Sequence, residues 1–254
     1  LEGAVTTSEV CFGVVTEGVS SHPPFPPVLD ILPRPCYNTR MKTLNIGIFA
    51  HIDAGKTTLS ERILWEGGVL RREGSVDSGT AATDFLTVER ARGISVRDAT
   101  VTFSYNGTQI DLIDTPGHAD FSEETELAMA AVDVAVLVLS ARDGVEAQTE
   151  LLIDLIRERG LPAVLFVNKC DLEPAPSVRD VLAARLRREI LPFNTPSSPS
   201  PSFEEDALTA LGDETLLERY LEGSLPGDEL SAALGKACSE GRIAPLLYGS
   251  ARTG

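Results

Sequence analysis

The segment 50–58 combines residue types that can hold a chain of phosphates. It reads Ala-His-Ile-Asp-Ala-Gly-Lys-Thr-Thr, with alanine in place of the usual first glycine, and it follows the largely apolar run 44–49. Backbone N–H groups around Gly55 can wrap a phosphate, and the start of a following helix adds positive potential. Lys56 can reach the β- and γ-phosphates, and the Thr57 hydroxyl can bind Mg²⁺. The segment predicts a phosphate-binding loop, with candidate contacts from Asp53, Ala54, Gly55, Lys56, Thr57 and Thr58.

A second segment, 114–118, reads Asp-Thr-Pro-Gly-His and follows another apolar run. An aspartate at a strand end opposite a phosphate loop can hold the hydration shell of Mg²⁺, which makes Asp114 a candidate metal residue. The N–H of Gly117 is placed to contact a γ-phosphate. Taken alone, this sequence is common turn chemistry and weak evidence.

The segment Asn168-Lys169-Cys170-Asp171 follows the apolar run 163–167 and can recognise a base. A carboxylate such as Asp171 can accept two donors from the guanine edge, and adenine lacks that donor pair. Asn168 can bond to the purine from the other side, and the stem of Lys169 can lie along the ring. The alternative is an Asn/Asp helix cap after a strand. Since two phosphate-binding segments precede it, we favour guanine recognition.

A fourth segment, Gly249-Ser250-Ala251, follows the apolar run 245–248. Backbone N–H groups of Ser250 and Ala251 at such a strand end can bind the guanine O6. This triplet is weak evidence by itself. The four segments nevertheless occur in chain order, each at the end of a predicted strand, and together they indicate a site for a guanine nucleotide.

The elements that must position these segments alternate between strand and helix, which predicts an α/β fold. Tight-turn residues Asn106-Gly107 separate two apolar stretches and predict an antiparallel hairpin. Continuous apolar runs at 132–139 and 163–167 are typical of strands buried on both faces. We expect a mostly parallel sheet with one antiparallel hairpin, helices on both faces, and ligands at the carboxyl ends of the strands. Further predictions are a strand at 43–49, a helix at 56–66, and a helical stripe of Leu151, Leu152, Leu155 and Ile156.

Two stretches differ from this pattern. Residues 1–40 are rich in proline and lack an amphipathic period, which predicts an extended, poorly ordered extension. This extension is either non-native sequence ahead of a true start at Met41 or a native disordered tail. Residues 194–202 form a Ser/Pro-rich break, and acidic residues predominate after it. We expect an acidic helical insertion at about 194–242, packed on the sheet edge, with helices around Leu216, Leu217 and Leu221 and around Leu230 and Leu234.

Composition limits the partners of the chain. Its 254 residues carry a formal net charge of −16, which disfavours bulk electrostatic binding of nucleic acid, and we expect no sequence-specific DNA binding. No apolar run approaches the roughly 18–20 residues that span a bilayer, so no membrane partner is expected. The four cysteines lack metal-ligand spacing, which favours reduced thiols and a cytoplasmic location.

A resemblance to a known family becomes specific at Arg92-Gly93-Ile94-Ser95. Together with segments 50–58 and 114–118, it makes residues 41–254 similar to the G domain of a translational GTPase in the elongation factor G branch. Segments 74–80 and 140–145 most resemble the tetracycline-resistance ribosomal protection proteins. Ser95 stands where most of the family carries threonine, and the same spelling occurs in the GTPase that assists peptide release.

The resemblance implies a P-loop NTPase fold, GTP or GDP with Mg²⁺, and the ribosome as partner. It implies that Ser95 contacts Mg²⁺ and the γ-phosphate, and that His118 orients the attacking water while Ile52 and Ile94 shield it. The catalytic set is then Lys56 and His118 together with Ile52 and Ile94. Without the resemblance, His118 is interpreted as a surface-loop histidine. It also implies that the final helix of the domain and several further domains lie beyond residue 254.

Three other functions stay open at this point. They are an elongation-factor-G-type translocase or release-factor GTPase, a fragment that binds guanine nucleotide without significant turnover, and a small-molecule kinase or ATPase. The segment 168–171 disfavours the last of these, because it matches guanine rather than adenine.

Overall fold

One central sheet organises the fold. The computed structural model describes residues 43–69, 99–115, 123–172, 177–194 and 203–253. Within them the strands are β1 (Thr43–Ala50), β2 (Ala99–Tyr105), β3 (Thr108–Asp114), β4 (Val134–Ser140), β5 (Ala163–Asn168), β6 (Glu189–Pro192) and β7 (Ile243–Tyr248). Their order across the sheet is β2-β3-β1-β4-β5-β7-β6. The β2–β3 pair is antiparallel and the other neighbouring pairs are parallel, which confirms the predicted sheet.

The strands form where the sequence places turn residues and apolar runs. Asn106 and Gly107 both have positive φ, at 47° and 77°, which is the backbone of a two-residue hairpin turn between β2 and β3. Every residue of β4 and β5 is buried, as expected for central parallel strands covered on both faces. Successive side chains of β4 point to opposite faces of the sheet. Val136 packs into one core cluster and Leu137 into the other.

Helices cover both faces of the sheet. The described helices are α1 (Lys56–Glu66), α2 (Glu123–Ala131), α3 (Ala147–Glu158), α4 (Arg179–Leu186), α5 (Phe203–Leu211), α6 (Glu214–Leu221) and α7 (Gly227–Ser239). Side chains of α1, α5, α6 and α7 contribute to one core cluster. Side chains of α2, α3 and α4 contribute to the other. The predicted layered α/β fold is therefore confirmed.

The predicted stripe on α3 is shifted in the structure. Leu152 and Ile156 are buried as expected, but Leu151 is 50% exposed and Ile153 is fully buried in its place. The face that meets the sheet also includes Thr149, which is fully buried in the first turn of the helix. Sequence periodicity identified the helix correctly and misplaced its buried face by part of a turn.

The described part of the acidic segment, residues 203–242, contains three helices rather than two. Leu230 and Leu234 of α7 are buried as predicted, whereas of the other predicted set only Leu216 is buried, since Leu217 and Leu221 lie at the surface. Helix α5 packs on the edge strand β6, and α7 packs on the interior strand β7. The described part of this segment therefore covers one face of the sheet as well as its edge.

The short strand β6 and the helices α2 and α4 are absent from the sequence-based prediction. Strand β6 has four residues, ends at Pro192 and pairs only with β7, and proline is tolerated at such a sheet edge. No helix in the described ranges combines the length and the apolar character that a bilayer span requires.

Candidate nucleotide-binding site

The phosphate loop lies between the end of β1 and the start of α1. Two of its residues have left-handed backbones, Asp53 at φ 61° and Gly55 at φ 94°. A side chain at position 55 would also collide with the amide nitrogen of Asn168. Glycine is therefore required at position 55 for conformation and for space. Because Gly55 precedes α1 and has no side chain to cap it, the first N–H groups of the helix face a site that suits an anion.

Lys56 and Asp114 form an ion pair beside this loop. Asp114 ends β3, opposite Ile48 of the neighbouring strand β1, and its Oδ1 is ion-paired with Nζ of Lys56. Both side chains are buried. The hydroxyl of Thr115 donates to the Ile48 carbonyl at 2.9 Å and holds the residue after the strand end. The strand register thus brings together the two residues predicted to handle phosphate and metal.

The residues present suit a magnesium ion. Oδ2 of Asp114 is buried without a hydrogen-bond partner in the described part of the chain. The same part holds no group of three or more His, Cys, Asp and Glu side chains placed to bind a metal. Mg²⁺ is typically held by one or two carboxylates together with substrate phosphates, rather than by an all-protein cage. The single carboxylate of Asp114 beside the phosphate loop matches this usual coordination of Mg²⁺.

Asn168 joins three of the predicted loops. Its Nδ2 donates to the Ala54 carbonyl at 2.8 Å, and its Oδ1 accepts from the Ala251 N–H at 2.8 Å. In a trans peptide the carbonyl and the following N–H point in opposite directions. The bond to Ala54 therefore turns the Gly55 N–H away from Asn168. The side chain is buried, so the sequence-based contact of Asn168 to the purine stays a prediction beside this observed linking role.

The neighbouring residues complete the base end of the site. Lys169 has a left-handed backbone at φ 67°, and its Nζ donates to the Asp53 carbonyl. Asp171 is exposed and available to a ligand. The Ser250 hydroxyl accepts from the N–H groups of Arg252 and Thr253 at 3.3 Å each, which shapes the turn after β7. Since the Ala251 N–H already serves Asn168, the predicted contact of this turn to guanine O6 stays a prediction.

The structure brings most predicted site residues to one edge of the sheet. They lie at or just after the ends of β1, β3, β5 and β7, and the carboxyl ends of these parallel strands share one edge of the sheet. Ile52 is 39% exposed on the phosphate loop. Four predicted residues lie outside the described ranges: Ile94, Ser95, Gly117 and His118.

Sequence reasoning missed a second support of the phosphate loop. His51 is buried, and its Nδ1 lies 3.1 Å from the Thr149 hydroxyl. The adjacent Ile52 N–H donates to Oε1 of Gln148 at 3.3 Å. Burial lowers the pKa of His51, against the opposing effects of Glu146 and Asp143. The available signal was a histidine inside the phosphate loop with no role in binding phosphate.

Comparison with known proteins agrees with this geometry. The family model described as the elongation factor Tu GTP binding domain matches residues 41–254. The tetracycline resistance protein TetW of Butyrivibrio fibrisolvens is 38% identical over 228 residues, which cover 84% of this chain and 35% of that protein. The tetracycline resistance protein TetM of Streptomyces lividans is 40% identical over 230 residues, which cover 84% and 36%. This chain therefore spans little more than a third of either relative.

A solved structure shows the same fold. The crystal structure of a Thermus thermophilus protein, ttk003000868, superposes with a TM-score of 0.71 at 27% sequence identity. The superposition covers 82% of this chain and 37% of that one.

Proposed function

Because the chain belongs to the elongation factor Tu GTP binding domain family, we propose that it binds GTP and GDP with Mg²⁺ and hydrolyses GTP when a ribosome engages it. The observation that carries the proposal is the pair of 2.8 Å bonds from Asn168 to Ala54 and Ala251. These bonds join the loop suited to phosphate and the loop suited to the base, so both ends of one nucleotide have a place. The exposed carboxylate of Asp171 then selects guanine by accepting from its N1–H and N2–H₂ groups.

The phosphate end of the site provides charge stabilisation. Lys56 exchanges its partner Asp114 for the β- and γ-phosphate oxygens and neutralises the charge that develops there. Asp114 and Thr57, with Ser95 from outside the described ranges, would hold Mg²⁺. When bound, that ion stabilises negative charge on the phosphates. The N–H groups of Gly55 and of the first turn of α1 orient the phosphate chain.

Turnover requires a group that orients water. We assign this role to His118, with Gly117 sensing the γ-phosphate and with Ile52 and Ile94 shielding the water. Ile52 is exposed on the phosphate loop, at the surface where such a shield would act. We expect these residues to act together once the γ-phosphate is bound and a ribosome is engaged, so that turnover is stimulated by the partner.

The similarity to the tetracycline resistance proteins TetW and TetM favours tetracycline resistance as the task, acting through the ribosome. Translocation of the elongation factor G type and assistance of peptide release are the second candidates, supported by the Arg-Gly-Ile-Ser spelling at 92–95. Hydrolysis on tetracycline-loaded ribosomes, compared with drug-free ribosomes, separates the first task from the other two.

Nucleotide binding is tested by calorimetry with GDP, with a slowly hydrolysed analogue of GTP and with ADP. GTP hydrolysis is then measured with and without ribosomes. We expect GDP binding that depends on Mg²⁺, no competition by ADP, and hydrolysis that rises with ribosomes. Binding without ribosome-dependent turnover would reassign the chain as a guanine-nucleotide-binding module. Absence of GDP binding would overturn the proposal as a whole.

A further inference from the structure

The phosphate loop is held from two sides. On one side, Asn168 and Lys169 bind the carbonyl groups of Ala54 and Asp53. On the other side, the first turn of α3 binds His51 and Ile52 of the loop. Thr149 contacts the His51 ring, and Gln148 accepts from the Ile52 N–H. Residues 53 and 54 thus depend on the loop after β5, whereas residues 51 and 52 depend on α3.

His51 also begins the turn that shapes the loop. Its carbonyl accepts from the Ala54 N–H at 3.3 Å, which closes a turn over residues 51–54. The His51 side chain, held by Thr149, therefore anchors the first residue of the turn. A shift of the ring would move the Ala54 peptide and with it the Gly55 N–H, which the phosphate requires.

The surroundings of the ring select one neutral tautomer. The Nε2 atom is buried without a hydrogen-bond partner within the described ranges and lies 3.9 Å from Oδ2 of Asp143. A hydrogen bond with the Ser140 side chain is the main cause that lowers the pKa of Asp143, so this carboxylate stays ionised at neutral pH. A proton on Nε2 faces that negative charge favourably, whereas a lone pair there would be repelled. The proton therefore resides on Nε2, and Nδ1 accepts from the Thr149 hydroxyl.

We propose that His51 is a positioning residue of the phosphate loop, anchored to α3 by Thr149, and that this anchor sets the affinity for the β-phosphate without touching the nucleotide. The proposal rests on the proposed function, because it concerns the same loop. It predicts a selective loss: weakening the anchor lowers the fraction of molecules with a competent loop, and affinity falls in proportion to that fraction.

The test uses substitutions that remove or keep the polar atoms that join His51 to Thr149. Thr149→Val removes the hydroxyl and preserves the shape, and Thr149→Ser keeps the hydroxyl. His51→Leu removes both ring nitrogens, and His51→Asn keeps a polar atom where Nδ1 stood. GDP, IDP and GMP are each competed against fluorescent GDP on the whole chain, and thermal melts check the fold of each variant.

We expect Thr149→Val and His51→Leu to weaken GDP binding by about 5- to 30-fold, the effect of one buried hydrogen bond. IDP should lose the same factor, because the base contacts are intact, and GMP should lose little, because it lacks a β-phosphate. Thr149→Ser and His51→Asn should recover most of the GDP affinity. Equal losses for GMP and GDP, or wild-type GDP affinity in a folded Thr149→Val protein, would overturn the proposal.

A spectroscopic measurement provides an independent check. The chain has three histidines, so ¹⁵N signals of the ring nitrogens can be assigned with His51→Asn as reference. We expect a proton on Nε2 of His51 and a shift of the Nδ1 signal in Thr149→Val, both before nucleotide is added. A proton on Nδ1 would contradict the anchor as described. Wild-type protein that shows the expected signals but binds no GDP would refute the proposed function and the β-phosphate role, while the anchor itself would stand.

Discussion

Nζ of Lys56 is ion-paired with Oδ1 of Asp114, and both side chains are buried at the carboxyl edge of the sheet. The lysine is the residue expected to neutralise the phosphates, and the carboxylate is the residue expected to serve the metal. In the absence of nucleotide, each charge is therefore compensated by the other. We expect phosphate oxygens to replace Asp114 as the partner of Lys56, and Mg²⁺ to replace Lys56 as the partner of Asp114. Breaking a buried pair on one side is strongly destabilising, because it leaves an uncompensated charge.

This pairing makes Asp114→Asn informative. The substitution preserves shape and leaves the Lys56 charge buried, so the free energy of unfolding without nucleotide should fall by about 3–5 kcal/mol. Denaturant titration measures the loss, and GDP should restore part of it by giving Lys56 phosphate oxygens. The affinity for GDP should respond less strongly to Mg²⁺ than in the wild type, because one of the residues proposed to hold the ion is lost.

The control for this experiment is the double variant Lys56→Met with Asp114→Asn, which removes the isolated charge as well. It should be more stable than Asp114→Asn alone in the absence of nucleotide. Wild-type stability of the single variant would show that the pair contributes nothing.

Base selection can be tested at Asp171. Asp171→Asn removes the carboxylate that accepts two guanine donors, so the preference for GDP over ADP should fall while the phosphate contacts persist. Competition of ADP against fluorescent GDP measures the preference. Asp180→Asn is the matched control, since Asp180 is an exposed acid in the first turn of α4 and is not among the candidate site residues. Unchanged discrimination in Asp171→Asn would refute the assignment.

The phosphate loop should not tolerate a side chain at Gly55. Gly55→Ala forces a residue with Cβ into φ 94° and into the Asn168 amide, so both stability and GDP affinity should fall. Gly68→Ala provides the comparison, since Gly68 also has positive φ, at 73°, but its Cβ would meet nothing within 4 Å. The backbone cost of about 1–2 kcal/mol is common to both variants. A larger loss of stability in Gly55→Ala than in Gly68→Ala, measured without nucleotide, therefore reports the collision with Asn168.

Turnover should depend on His118. We expect His118→Ala to keep GDP and GTP affinity and to lower ribosome-stimulated hydrolysis by about 10²–10⁴-fold, the usual effect of losing one group that positions a proton transfer. Single-turnover hydrolysis on ribosomes measures the rate, and calorimetry measures the affinity. A parallel loss of both quantities would count against a role in orienting water.

Acid should destabilise the chain partly through His51. Burial lowers the pKa of His51 below its ordinary value of 6.5. Below that pH the unfolded chain takes up a proton that the folded ring resists, so the free energy of unfolding falls as the pH drops from 6.5 toward the folded pKa. Urea titrations at neutral and mildly acidic pH measure the loss, which should be smaller in His51→Asn. An equal loss in both proteins would exclude this contribution.

Local pattern was sufficient for the parts of the fold whose signals are contained in a few neighbouring residues. The continuous apolar runs predicted β4 and β5, and the Asn106-Gly107 pair predicted the hairpin, because side-chain period and turn chemistry act within one element. The same patterns were too short at β6 and α4, whose four and eight residues show little periodicity.

The residue types and order of the four loops were sufficient to predict a guanine nucleotide site, because each loop carries its own chemistry and parallel strands bring their carboxyl ends to one edge. Only the tertiary structure decided which groups bind one another across that edge. Asn168 and Ala54 are 114 residues apart, and His51 and Thr149 are 98 residues apart. Such pairs are chosen by the strand order β1-β4-β5-β7 and by the docking of α3 on the sheet, and neither is encoded in the spacing of a single segment.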